Sequence, residues 1–114
     1  MKISEIASHL SAQIRTCEEC APREVATAYA GDMLSDVLAL GKQPDMLLTG
    51  LMNPQVIRTA EMLDTACVVF IRGKEPSGAI LELAQECGIC VLTTSMEMYQ
   101  ACALLSANGV VAAQ

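Results

Sequence analysis

The sequence predicts an α/β fold, a three-layer α/β/α arrangement around a mostly parallel central sheet of about five strands. Three short apolar runs carry this prediction, at residues 46–49, 67–71 and 89–93. Each run is too short for a helix, has little apolar/polar alternation, and is separated from the next by a segment of helical period. Strands buried on both faces of a parallel sheet have this pattern. Successive strand–helix–strand units are almost always right-handed crossovers, so their strands lie side by side.

The first half of the chain is predicted to hold two helices and two further strands. In chain order these are a helix over 5–11, a short strand over 13–17, a strand over 24–30 and a helix over 33–40. Ser4 and Asp32 are the expected N-caps of the two helices, since a short side-chain oxygen can accept a hydrogen bond from a free amide there. Gly41 is the expected stop of the second helix.

In the second half, each apolar run is followed by a predicted helix. These helices run from Pro54 to about Leu63, from after Ser77 to Gly88, and from Met96 to beyond Leu105. Asn53 and Ser95 are the expected caps of the first and the last. The last helix is expected to carry Met96, Tyr99, Cys102, Ala103 and Leu105. The apolar tail over 108–114 either frays or packs against a partner.

Composition indicates one domain over residues 1–114, which is long enough to bury a single core. The chain is 53% hydrophobic but only 3% aromatic, so the core must be aliphatic. No apolar stretch approaches the roughly 20 residues of a spanning helix. Glu5 stands where a secretory signal would begin its apolar stretch. We therefore expect a cytoplasmic protein that does not contact membranes.

Charge argues against nucleic acid as a partner. The net charge is −6, and the seven basic residues are scattered, with only Arg72 and Lys74 close together. Binding to a phosphate backbone needs a clustered basic footprint, and stacking on bases needs aromatic side chains.

Several local strings, taken in order, resemble the DRTGG domain family over nearly the whole chain. They are Ile3-Ser4-Glu5-Ile6-Ala7, Arg23-Glu24-Val25, Gly31-Asp32-Met33-Leu34-Ser35, Asp45-Met46-Leu47-Leu48-Thr49, Gly73 with Pro76, Gly88-Ile89 and Tyr99. The family is similar to regulatory domains of some phosphotransacetylases and CBS-containing pyrophosphatases, and to the N-terminal domain of HPr kinase. The resemblance implies a regulatory α/β module that is not an enzyme and needs no cofactor.

The signature positions of that family are largely replaced here. Met52-Asn53 stands where the family has its Asp-Arg pair, and Ile71-Arg72-Gly73 stands where it has Thr-Gly-Gly. Only the last glycine is kept. Arg72 supplies a guanidinium from a different position, and that group suits a carboxylate or phosphate.

A ligand is expected at the carboxyl ends of the strands, where parallel sheets collect ligands. The residues predicted to line this edge are polar, small or cationic: Asp32, Ser35, Thr49, Gly50, Asn53, Arg72, Gly73, Thr93 and Thr94. They predict a small anionic metabolite or nucleotide, with a partner protein as the other possibility. Ordinary caps and turns are an alternative explanation of the same residues. The apolar last helix and tail favour a homodimer.

Other side chains suggest different chemistry. Cys17-x-x-Cys20 and Cys87-x-x-Cys90 are two CxxC pairs, which predict as an alternative a metal-binding or thiol-redox protein. The opposing interpretation treats Cys67, Cys87, Cys90 and Cys102 as small core residues, and we expect no metal site. Asp32 and Asp36, at i and i+4, are either a cation-binding pair or a cap plus an exposed carboxylate. His9, the single histidine, has no predicted partner for acid–base catalysis.

Overall fold

A single mixed sheet with helices on both faces forms the protein, as the computed structural model describes it for residues 1–113. The helices are α1 (Ile3–His9), α2 (Leu34–Ala39), α3 (Gln55–Met62), α4 (Gly78–Cys87) and α5 (Met98–Ala107). The strands are β1 (Gln13–Ile14), β2 (Thr27–Ala30), β3 (Met46–Thr49), β4 (Cys67–Phe70), β5 (Cys90–Thr93) and β6 (Val111–Ala112). The predicted α/β class is confirmed.

The strand order is β1-β5-β4-β3-β2-β6, and every pairing is parallel except that of β1 with β5. The sheet has six strands rather than about five. The sixth comes from the tail that was expected to fray or to pack against a partner. Instead, the Val111 amide donates to the Ala26 carbonyl and the Ala113 amide donates to Ala28. Gln114, the last residue of that tail, lies outside the described residues.

Alternate residues of the central strands face opposite sides of the sheet and build two cores. On one side, Leu48, Val69 and Leu92 pack against α1 and α5. On the other side, Leu47, Val68, Phe70 and Val91 pack against α2, α3 and α4. Such double burial is the reason for the nearly continuous apolar runs, and it confirms the three-layer arrangement. Among residues 1–113, no helix combines the length and apolar character that crossing a bilayer requires.

The predicted helix stops Gly41 and Gly88 are both confirmed, and the predicted cap Asn53 contacts the first turn of α3 from just outside the helix. Ser77 Oγ accepts a hydrogen bond of 3.3 Å from the Ile80 amide at the start of α4. Gly88 ends that helix with φ +72°, a conformation that favours glycine. Asn53 Oδ1 accepts from the Gln55 amide at 2.9 Å, so it satisfies a free donor at the start of α3 although Pro54 is the capping residue.

Three predicted caps are wrong. Ser4 lies inside the first turn of α1, where the Lys2 amide donates to Glu5 Oε1 at 2.8 Å. Helix α5 begins after Glu97 and α2 begins after Met33, so neither Ser95 nor Asp32 is an N-cap.

Candidate functional site

Asp32 joins the ends of β2 and β3 at the carboxyl edge of the sheet. Its Oδ1 accepts two hydrogen bonds of 2.9 Å, one from the Thr49 hydroxyl and one from the Gly50 amide. The Gly31 amide donates to the Leu48 carbonyl, which carries the β2–β3 pairing past the end of β2 and brings Asp32 beside Thr49. This tertiary bond explains why Asp32 does not cap α2.

The surroundings of Asp32 hold the pKa of its carboxyl below the usual value. The hydrogen bond from the Gly50 amide is the largest cause, and the Thr49 hydroxyl and the nearby charges of Arg72 and Lys74 act in the same direction, whereas burial opposes them. Oδ1 is fully engaged with β3, which favours a structural role over the predicted alternative of a cation-binding pair with Asp36.

Arg72 presents its guanidinium at this edge from a strained turn. The residue has φ +62°, a left-handed conformation that is uncommon for a residue other than glycine. Its side chain lies against Gly50, where an added Cβ would stand 2.6 Å from Arg72 Nη2. The residue is exposed, and no carboxylate among residues 1–113 forms an ion pair with it within 4 Å. The guanidinium is therefore available to a ligand.

The backbone after β4 is already satisfied by the segment that leads into α5. The Arg72 amide donates to the Met96 carbonyl at 2.8 Å, and the Gly73 amide donates to the Thr94 carbonyl at 2.9 Å. These two backbone amides are therefore not available to a ligand.

Lys74 is a second cation at this edge of the sheet, and it was not among the predicted site residues. Its Nζ donates to the Gly50 carbonyl at 2.9 Å, on the same loop that Arg72 covers. The sequence did contain a signal, since Arg72 and Lys74 are the only closely spaced basic residues. Both cations therefore converge on Gly50.

Two cavities lie along this edge, and the predicted residues divide between them. The larger has a volume of about 360 Å³ and is lined by Asp32, Ile71, Arg72, Glu97, Met98 and Tyr99. The smaller, of about 220 Å³, is lined by Ser11, Gln13, Gly73, Lys74, Glu75, Thr93, Thr94 and Ser95. We call the larger one the Arg72 cavity.

Two of the predicted hydroxyl groups are already hydrogen-bonded within the protein, and two other predicted residues lie outside both cavities. Thr49 is fully buried, and its hydroxyl is used by Asp32. The Thr94 hydroxyl donates to the Leu10 carbonyl at 2.7 Å and accepts from the Met96 amide, so it joins the end of α1 to the site loop. Ser35 and Asn53 line neither cavity.

Tyr99 lies on the exposed side of α5. Its side chain is 88% exposed, whereas Ala101 and Leu105 supply the buried face of the helix. Tyr99 lines the Arg72 cavity together with Glu97 and Met98, and none of these three residues was among the predicted site residues.

The second CxxC pair does not bring its two thiols together. Cys90 packs on the face of α1 and α5 and Cys87 on the opposite face, so the sheet separates this pair. Within residues 1–113, no three His, Cys, Asp or Glu side chains are placed to hold a metal ion.

Cys67 and Cys90 are adjacent in register and fully buried. The neighbouring thiol of Cys90, together with burial, raises the pKa of Cys67.

A third cavity is mainly apolar. Its volume is about 430 Å³, and it lies between α5 and the strands β2 and β6. Small and aliphatic residues line it: Ala28, Ala30, Leu48, Cys102, Leu105, Ser106, Val110, Val111 and Ala112. We call it the β6 groove.

The chain matches no protein-family model and no curated protein sequence. Among solved structures it is similar to the CBS and DRTGG domains of the regulatory region of Clostridium perfringens pyrophosphatase, complexed with the activator diadenosine tetraphosphate. The TM-score is 0.73 at 22% sequence identity, over 91% of this chain and 45% of that chain. The chain thus spans less than half of the length of that structure, and the likeness shows a shared fold.

Proposed function

We propose that this protein is a single DRTGG-like domain that acts as a non-catalytic regulatory module and binds a small anionic ligand at the Arg72 cavity. The observation that carries the proposal is the exposed guanidinium of Arg72 at the mouth of a cavity, with Lys74 fixed beside it on Gly50. A guanidinium binds carboxylates and phosphates through paired hydrogen bonds. The carboxyl edge of a parallel sheet is also where ligands of such folds collect.

The fold supports the regulatory role, and the free thiols of the cysteines support a cytoplasmic location. The solved structure that this chain resembles is described as a regulatory region bound to an activator. His9 is exposed on α1 and lines none of the three cavities. All six cysteines are free thiols, which suits the reducing cytoplasm.

Replacing Arg72 by Ala is expected to abolish ligand binding while costing under about 0.5 kcal/mol of unfolding free energy, because the side chain is exposed. Thermal unfolding in the presence of inorganic phosphate, pyrophosphate and acetyl phosphate measures both effects. A ligand at a hundred times its dissociation constant adds about 2.7 kcal/mol to the wild type. Arg58→Ala, which removes an exposed arginine from α3, is the matched control. Equal ligand stabilisation of wild type and Arg72→Ala would exclude Arg72 as the anchor.

Gly50→Ala tests the same site without removing a charge. The new Cβ would stand 2.6 Å from Arg72 Nη2, so the guanidinium must move away from its present position. We expect weaker anion binding with the fold retained, because the group that gives way is the end of a flexible side chain. Gly78→Ala is the control, since a Cβ there meets nothing within 4 Å. Unaltered binding by Gly50→Ala would show that the position of Arg72 over Gly50 is irrelevant to the ligand.

The β6 groove is the proposed contact surface of a homodimer. It is lined mainly by small and aliphatic side chains, Val111 beside it is 55% exposed, and the outer edge of β6 has no neighbouring strand in the described chain. Such apolar surface commonly marks an interface between proteins.

Light scattering of the eluting protein is expected to give twice the chain mass of 12.1 kDa at micromolar concentration. Ala30→Arg, which places a charge in the groove, should give the monomer mass, whereas Ala79→Arg on exposed α4 should leave the dimer intact. A monomeric wild type would exclude the dimer.

A further inference from the structure

We propose that the ligand of the Arg72 cavity is a nucleoside monophosphate, held with its phosphate at Arg72 and its base against the ring of Tyr99. The inference rests on the proposed function, since it names the chemical class of the ligand at the same site. Three features of the cavity carry it: an exposed aromatic ring, a lining of mixed charge, and a small volume.

The position of Tyr99 is unusual for this chain. The chain has three aromatic residues, of which Phe70 is fully buried in the core and Tyr29 is half-buried. The third, Tyr99, is 88% exposed and lines the Arg72 cavity. An exposed aromatic face beside a cation is the arrangement that stacks a base while its phosphate is neutralised.

The lining also contains two carboxylates, those of Asp32 and Glu97. Glu97 stands before the first turn of α5 and makes no capping hydrogen bond there, so its oxygens remain free acceptors. A bare anion such as phosphate or pyrophosphate would meet Arg72 and both of these negative groups. A ligand that is anionic at one end and carries hydrogen-bond donors at the other uses the whole lining. Ribose hydroxyls and the exocyclic amine of a base are such donors.

The volume of the cavity limits the size of the ligand. At about 360 Å³, it lies near the lower end of the range of ligand pockets, about 300–1,000 Å³. One base, one ribose and one phosphate suit such a volume better than a dinucleotide. Ile71 and Met98 supply apolar surface for the base in the same lining.

The test compares adenosine 5′-monophosphate with ribose 5-phosphate, which carries the same sugar and phosphate without a base. By titration calorimetry, we expect the nucleotide to bind the wild type about tenfold or more tightly than the sugar phosphate, the advantage that stacking on an aromatic ring confers. Tyr99→Leu should remove this advantage and leave ribose 5-phosphate binding unchanged. Tyr99→Phe should retain it, because the ring remains. Arg72→Ala should lose both ligands.

The outcomes separate this inference from the function on which it rests. If both compounds bind equally, or if Tyr99→Leu keeps the preference, the nucleotide assignment is overturned while anion binding at Arg72 stands. If ribose 5-phosphate, adenosine 5′-monophosphate and inorganic phosphate all fail to bind at millimolar concentration, both proposals are overturned. Because Tyr99 is exposed, its variants are expected to fold as the wild type does.

Discussion

Replacing Phe70 by Ala is expected to lower the free energy of unfolding by about 3–5 kcal/mol, the usual cost of removing a buried ring from a core. Phe70 is fully buried in β4, between Thr49 of β3 and Thr93 of β5 in register. It packs in the core of α3 and α4. Since small domains have a total stability of about 5–15 kcal/mol, the loss is a large share of it.

Urea unfolding followed by circular dichroism measures the effect on Phe70 variants. Phe70→Leu is the companion variant, because it fills part of the space and should lose less. Met62→Ala is the control for truncation of a large apolar side chain, since Met62 is 70% exposed on α3. An unfolding midpoint of Phe70→Ala equal to that of the wild type would show that this core can close over the missing ring.

Asp32→Ala is expected to cost about 1–3 kcal/mol of unfolding free energy, because it leaves the Thr49 hydroxyl and the Gly50 amide without their acceptor. Thr49 is fully buried and Gly50 is buried as well, whereas Asp32 itself is exposed, so water that enters the vacated position offsets part of the loss. Asp32→Asn retains one carbonyl oxygen for both hydrogen bonds and loses only the charge. Asp32→Asn should therefore lose less unfolding free energy than Asp32→Ala. The difference between the two variants, measured by the same urea titration, separates the loss of the hydrogen-bond acceptor from the loss of the charge. Equal stability of the Ala variant and the wild type would contradict the role of these hydrogen bonds.

The lowered pKa of Asp32 also predicts how stability depends on pH. A carboxyl whose folded pKa lies below its unfolded value of about 3.9 binds protons more weakly in the native state. Its contribution is therefore fully present above about pH 4 and is lost as pH falls through the folded pKa. Acid unfolding of wild type and Asp32→Asn should differ in this range, with the variant showing the shallower decline. Parallel curves would mean that Asp32 titrates alike in both states.

The central strands could be predicted from the sequence because burial on both faces leaves a local pattern. Residues 46–49 are apolar except for one threonine, and this run alone was enough to locate β3 to the residue. Strand β6 could not be predicted in this way, because it has only two residues and its pairing partner β2 is distant in the sequence. Two residues are too few to show a hydrophobic periodicity. The sheet class was therefore predictable, whereas the number of strands was not.

The sequence predicted at which edge of the sheet the proposed site lies, and only part of the residues that line its cavities. Parallel topology brings the ends of successive strands to one edge, so the location followed from the strands themselves. Asp32 matched the local signal of a cap, and only the pairing of β2 with β3 shows that Gly50 and Thr49 take its carboxylate. The exposed side of α5 was not predictable, because Met98, Tyr99, Cys102 and Ala103 leave no clear polar face.

The two outermost strands have a consequence for the order in which the chain folds. Gln13 of β1 pairs with Thr93, and Thr27 of β2 pairs with Val111, so each edge closes a loop that spans most of the chain. Closing such loops costs more entropy than the short crossovers that join β3, β4 and β5, and non-local pairing slows folding. We therefore expect β3–β5 to assemble first. During synthesis, the outer edge of β2 stays open to other strands until residues 111–112 have left the ribosome, and the nascent chain is then most prone to aggregate.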